Sequence, residues 1–114
     1  MKTIKNQTWV YNNDIDLETC GEGIARKILA YSEDLMCVEN HFETGAEGAM
    51  HHHPHTQITY VVSGRFEFTI GEEVKVVEIG DTMLQMNDVT HGCKCIEKGT
   101  ILDIFTPMRK DFVE

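Results

Sequence analysis

The stretch Gly45-Ala46-Glu47-Gly48-Ala49-Met50-His51-His52-His53-Pro54-His55-Thr56-Gln57-Ile58-Thr59-Tyr60-Val61-Val62-Ser63-Gly64 sets four of the chain's six histidines directly before a β-rich run. An affinity tag would sit at a terminus and would not contain Pro54 or lead straight into a strand. A solvated histidine-rich loop with adventitious metal affinity is the plainer alternative. A built metal site fits the parity. His51, His53 and Gln57 are all odd-numbered, so an extended chain turns them to one face and His52 to the other. His55 shares their parity, but Pro54 bends the chain beside it and leaves its direction open.

Outward from this stretch, short β-type runs recur. Strands are read at Ile24–Tyr31, Leu35–Phe42, Ile58–Val62, Arg65–Ile70, Val74–Glu78, Thr82–Met86, Cys93–Glu97 and Thr100–Phe105. The breaks are Ser32-Glu33-Asp34, Ser63-Gly64, Gly71-Glu72, Gly80-Asp81, Asn87-Asp88 and Lys98-Gly99, all residues that tolerate tight-turn dihedrals. Ser63-Gly64, between two β-rich runs, reads as a hairpin. Phe66, Phe68 and Ile70 share one face, with Arg65, Glu67 and Thr69 on the other. Leu17–Ala30 is interrupted by Gly21 and Gly23 and is not read as a helix. Many short strands without a convincing helix predict an all-β sandwich or barrel.

The chain has 114 residues, enough for one domain over residues 1–114 with its own core. No apolar run approaches the ~20 residues that span a bilayer, and the N-terminus lacks a signal-peptide core. A cytoplasmic protein is therefore expected. The net charge of −9 repels phosphates and anionic headgroups, which argues against nucleic-acid and membrane partners. An anionic small molecule is still compatible, because a bound metal dominates its local field. Cys20, Cys37, Cys93 and Cys95 do not suggest a disulfide framework in that setting. Cys93 and Cys95 share a strand face and read as apolar wall residues, with metal ligation or redox sensing as the alternative.

A second block supplies the missing ligand. Gly80 and His91 stand at the spacing of the second motif of the cupin superfamily, and Gly45, His51, His53, Gln57 and Gly64 stand at the spacings of the first. Met86, Asp88 and Cys95 depart from the Pro, Gly and Asn of that second motif. The chain thus resembles a short cupin. The resemblance implies a double-stranded β-helix, or jelly-roll barrel, and one divalent transition metal (Ni, Mn, Fe, Co or Zn) held by His51, His53, Gln57 and His91. Three imidazoles and one oxygen leave open positions for substrate or water. Gln57 replaces the commoner Glu and adds no charge, so the metal would favour an anionic ligand. The alternative is that Gln57 is no ligand.

The segment Ile101-Leu102-Asp103-Ile104-Phe105-Thr106-Pro107-Met108-Arg109 carries a carboxylate inside an apolar strand. Such a group is costly unless it is paired, exposed at an edge or functional. Asp103 has the parity of Ile101 and Phe105, so it enters the barrel if they do. With Pro107, Arg109, Asp111 and Phe112, and with His51-x-His53-Pro54-His55-x-Gln57, this pattern is similar to the pectin-degradation cupins that linearise unsaturated uronates. That resemblance implies conversion of the cyclic unsaturated monouronate left by pectate or alginate lyases into the linear 4-deoxy-5-keto-uronate. It implies proton transfer by Asp103, carboxylate binding by Arg109 and packing of the sugar face by Phe105. It also implies a homodimer, with Trp9–Tyr11 a candidate to cross between subunits. The rivals are a metal-dependent dioxygenase and a small-ligand-binding module without catalysis. Asp103 discriminates, because a binder has no use for a general base.

Overall fold

A computed structural model describes residues 7–113. Its strands are β1 (Glu18–Gly21), β2 (Ile24–Tyr31), β3 (Met36–Phe42), β4 (Glu47–His51), β5 (Thr56–Ile70), β6 (Glu73–Glu78), β7 (Thr82–Gln85) and β8 (His91–Thr106). A 3-10 turn at Asn12–Asp14 precedes them and a short helix α1 (Lys110–Val113) follows. All pairings are antiparallel, in the order β1-β2-β3-β8-β5-β6, with β4 on β8 and β7 on β5. The all-β jelly roll expected from the sequence is present.

The curl comes from β5 and β8. The first half of β8 pairs with β4 and its second half with β3. The first half of β5 pairs with β7 and its second half with β6. Both strands bend where they cross, and their register shifts between Val61 and Phe66. Ser63-Gly64 is therefore a bulge within one continuous strand, and the expected hairpin is absent. Lys98-Gly99, read as a break, is likewise inside β8. Gly64 has φ +81, and a Cβ there would stand 2.5 Å from the Glu97 carbonyl oxygen and 2.7 Å from the Gly99 Cα. The two glycines let the backbones touch. Gly64→Ala should cost about 2–5 kcal/mol from left-handed strain plus overpacking. An unchanged denaturation midpoint would mean that the crossing yields freely.

Two strands escaped the sequence reading. β1 forms a hairpin with β2 through Gly23, at φ +74. β4 carries His51 and pairs with the start of β8. Leu17–Ala30 is strand and turn, as its glycines suggested.

The interior has two apolar clusters. Phe42, Ala46, Val61, Phe66, Phe68, Cys95 and Ile101 form one, and Met36, Val38, Phe105, Met108 and Val113 the other. Along β8, Asp103 lies between Ile101 and Phe105, and along β3, Asn40 lies between Phe42 and Val38. A polar layer thus divides the core and underlies the site.

Candidate metal centre

Backbone pairing delivers the histidines. His51 ends β4 and faces His91 at the start of β8, with ring centroids 4.4 Å apart. His53 follows in the loop, 5.0 Å from His91 and 5.4 Å from His51. The turn before His91 is tied to this loop by the Asp88 N–H, which donates to the His53 carbonyl at 2.8 Å. Asp88 has φ +63 at the position where the cupin motif carries Gly. Asp tolerates that conformation, so the departure leaves the turn intact. The candidate ligand atoms of His51, His53 and His91 lie within 4.8 Å of one another.

Hydrogen bonds set the tautomers. His51 Nδ1 lies 2.7 Å from the Ala49 carbonyl oxygen and His91 Nδ1 3.0 Å from that of Val89. A carbonyl only accepts, so each Nδ1 carries the proton and each Nε2 keeps its lone pair. Burial, followed by the Arg109 charge, pushes His53 down to about 4. Burial also lowers His91. Both rings are neutral at neutral pH, which is the ligating form.

Gln57 completes the group. Its Nε2 donates to Asp103 Oδ1 at 2.8 Å and to Thr59 Oγ1 at 3.2 Å. This fixes the amide and turns Oε1 toward His53 Nε2, 3.2 Å away. The buried His53 Nδ1 has no hydrogen-bond partner among the described residues. Three neutral imidazoles and one carbonyl-type oxygen form a donor set suited to a borderline divalent metal. The four residues therefore fit the ion that the sequence implied. His52 points away and is exposed, 3.7 Å from Asp88. His55 is not part of the group; its Nε2 donates to the Met108 carbonyl at 3.1 Å.

Asp103 sits behind Gln57, only 6% exposed. Its Oδ1 accepts from Gln57 and, at 2.6 Å, from Thr59 Oγ1. Its Oδ2 accepts from Asn40 Nδ2 at 2.7 Å. Gln85, fully buried, donates to Thr59 at 3.2 Å and aims its hydroxyl. Burial raises the Asp103 pKa, against the lowering effect of the Thr59, Gln57 and Asn40 donors. Asn40, Thr59 and Gln85 were not singled out from the sequence. Their signal was weak, since alternate polar residues on a strand usually face solvent.

The pairing explains the amide at position 57. Gln57→Glu would replace a donating NH2 with a carboxylate oxygen 2.8 Å from Asp103 Oδ1. Two carboxylates that close must share a proton or separate. The metal-free variant should lose about 1–3 kcal/mol, the cost of a broken buried hydrogen bond, in urea unfolding. Wild-type stability would show that Gln57 does not donate to Asp103.

A cavity of about 420 Å³ opens over these groups, lined by His51, Gln57, His91, Asp103, Phe105 and Arg109. Phe105 packs edge-on against His53, with centroids 5.8 Å apart. The Arg109 guanidinium lies 4.3 Å over Phe112. Its Nε and Nη2 donate to Asp111 at 3.1 and 2.9 Å. Cys95 is in the first apolar cluster and Cys93 packs against it. Burial pushes the Cys93 thiol up to about 12. No cysteine joins the histidine group among the described residues, so both fit the wall role.

Comparison with known proteins agrees with this architecture. The cupin domain family model matches residues 38–105. The chain is 43% identical over 98 residues to the pectin degradation protein KdgF of Dickeya dadantii, covering 84% of this chain and 89% of that one. An RmlC-like cupin from Shewanella frigidimarina superposes with a TM-score of 0.95 at 34% identity, over 97% of this chain and 100% of that chain. KdgF from Halomonas sp. superposes with a TM-score of 0.90, also at 34% identity, over 95% of this chain and 100% of that chain. The chain belongs to the cupin family, in the branch that includes the KdgF proteins.

Proposed function

We propose that the protein acts in pectin degradation as a metal-dependent enzyme that opens the ring of cyclic unsaturated monouronate to the linear 4-deoxy-5-keto-uronate. The observation that carries this reading is the meeting of Asp103 and Arg109 with His51, Gln57 and His91 in one cavity, with His53 packed against His91 beside it. The similarity to a protein named for pectin degradation supports a pectin-derived substrate. His51, His53, Gln57 and His91 would hold the metal. When bound, it supplies a Lewis acid for charge developing on the ring oxygen.

In the reaction the anomeric hydroxyl loses its proton and the bond from the anomeric carbon to the ring oxygen breaks. The enol electrons then take a proton on the carbon that becomes a methylene. Atoms balance, since one proton leaves oxygen and one arrives at carbon. Asp103 is the carboxylate that moves it. Oδ1 is occupied by two donors, whereas among the described residues Oδ2 accepts only from Asn40 and keeps a lone pair. Oδ2 is therefore the proton-transfer atom. Arg109 meets the substrate carboxylate through Nη1, because Asp111 engages its other edge. Phe105 packs the sugar face and excludes water.

The test uses lyase-generated unsaturated monouronate and the metal-loaded protein, followed by enol-ether absorbance. Loss of absorbance faster than in buffer is expected. A rate equal to the uncatalysed one with each of Ni, Mn, Fe, Co and Zn would sink the reading. A homodimer belongs to the same proposal. Its support is the row of exposed apolar residues, Ile58, Tyr60 and Leu84, on the outer sheet face, with Trp9 and Tyr11 also exposed. Sedimentation equilibrium giving the mass of one chain would remove that part.

A further inference from the structure

β2 presents Ile24 to the first apolar cluster and Ile28 to the second. Arg26 lies between them on the same face, so a guanidinium occupies an inward position in a chain of net charge −9. Its side chain is 21% exposed and lines the same cavity as Gln57, Asp103 and Arg109. A cation placed there is costly unless something engages it. Glu18, from β1, accepts from its Nε at 2.8 Å. The guanidinium lies 3.8 Å over Phe112, the ring that also carries Arg109. Glu18 and Phe112 thus hold the head group in place from two sides.

The two arginines differ in what remains open. Arg109 has Nε and Nη2 committed to Asp111. Arg26 is committed only at Nε, and its two Nη groups have no hydrogen-bond partner among the described residues. Those two groups form a planar fork that matches a carboxylate. Both arginines line the same cavity, so an anion bound there would meet two like charges. We propose that Arg26 supplies the bidentate fork for the substrate carboxylate, with Arg109 adding a further donor. This inference rests on the ring-opening reading and names the group that makes the cavity selective for acids over neutral sugars. It also gives the β1–β2 hairpin a task, since Glu18 orients the fork.

The experiment is steady-state kinetics with metal-loaded protein on unsaturated monouronate and on its methyl ester. Arg26→Gln should raise KM for the acid about 10- to 100-fold, the range for losing hydrogen bonds to a charged group. Its kcat should stay within a few-fold of wild type and its metal content should be unchanged. Arg26→Lys should recover part of the loss, since it keeps charge without the fork. The ester should be poor with wild type and no worse with Arg26→Gln. Lys27→Gln, on the outward face, should match wild type. A wild-type KM for the acid in Arg26→Gln, while wild type turns over, removes Arg26 from binding and leaves ring opening standing. If wild type does not turn over, calorimetric titration with the monouronate decides. Binding lost in Arg26→Gln upholds the fork and overturns ring opening, whereas no binding to wild type overturns both. Should Arg26→Gln not fold, a wild-type acid-to-ester preference in Arg26→Lys overturns the fork.

Discussion

His91→Ala is expected to abolish stoichiometric metal binding and, with it, turnover, and His51→Ala should do the same. His91 Nε2 is left free by the bond from Nδ1 to the Val89 carbonyl, and the ring packs against both His51 and His53. Losing an outer partner of a ligand typically costs about 10- to 100-fold in metal affinity. Losing the ligand itself should exceed that. His52→Ala is the internal control, since that side chain is exposed and turned toward Asp88. The readout is metal per chain by elemental analysis after dialysis against a weak chelator. Stoichiometric metal in both the His51 and His91 variants would put the site elsewhere. Cys93, which lines the same cavity, would then be the next candidate ligand.

The grouping of the histidines was legible because it needs only parity and spacing. His51 and His53 point one way in any extended chain, and His91 follows the second motif. The crossing of β5 and β8 was not legible. Gly64 announces a left-handed backbone, but a hairpin turn and a bulge both require one. What decides between them is Gly99, far along the chain, whose missing side chain makes room for Gly64. β4 was missed for a related reason. Gly48 and a histidine run have little strand propensity, and pairing with β8 supplies what propensity does not. Asp103 stood out as an anomaly, a charge among apolar neighbours. Its partners did not. Thr59 and Asn40 look like the solvent-facing residues of alternating strands until the barrel closes around them. Arg26 was hidden similarly, since β2 by itself does not say which of its faces is inward.

Asp103→Asn should lower the rate of ring opening by roughly two to four orders of magnitude, the usual range for a lost general acid or base, while metal content holds. The hydrogen bonds say why the two effects separate. An Asn at position 103 can keep its oxygen where Oδ1 now accepts from Gln57 and Thr59. Its NH2 then faces Asn40, which can turn its own amide to accept in place of donating. Gln57 stays oriented and its Oε1 still faces His53. Only the basic lone pair on Oδ2 is gone. Asp103→Ala differs, because it removes the acceptor as well. Gln57 Nε2 then lacks its stronger partner, the amide can rotate, and metal affinity should fall about 10- to 100-fold as for other outer partners. The pair of variants thus distinguishes moving a proton from positioning Gln57. Single-turnover absorbance gives the first quantity and chelator competition the second. If Asp103→Asn turns over like wild type while Asp103→Ala loses metal, the carboxylate only orients Gln57, and the proton must travel by water. If both variants keep metal and rate, Asp103 has no part in the site. If both lose metal equally, Asn40 does not turn, and the network requires a carboxylate with three donors around it.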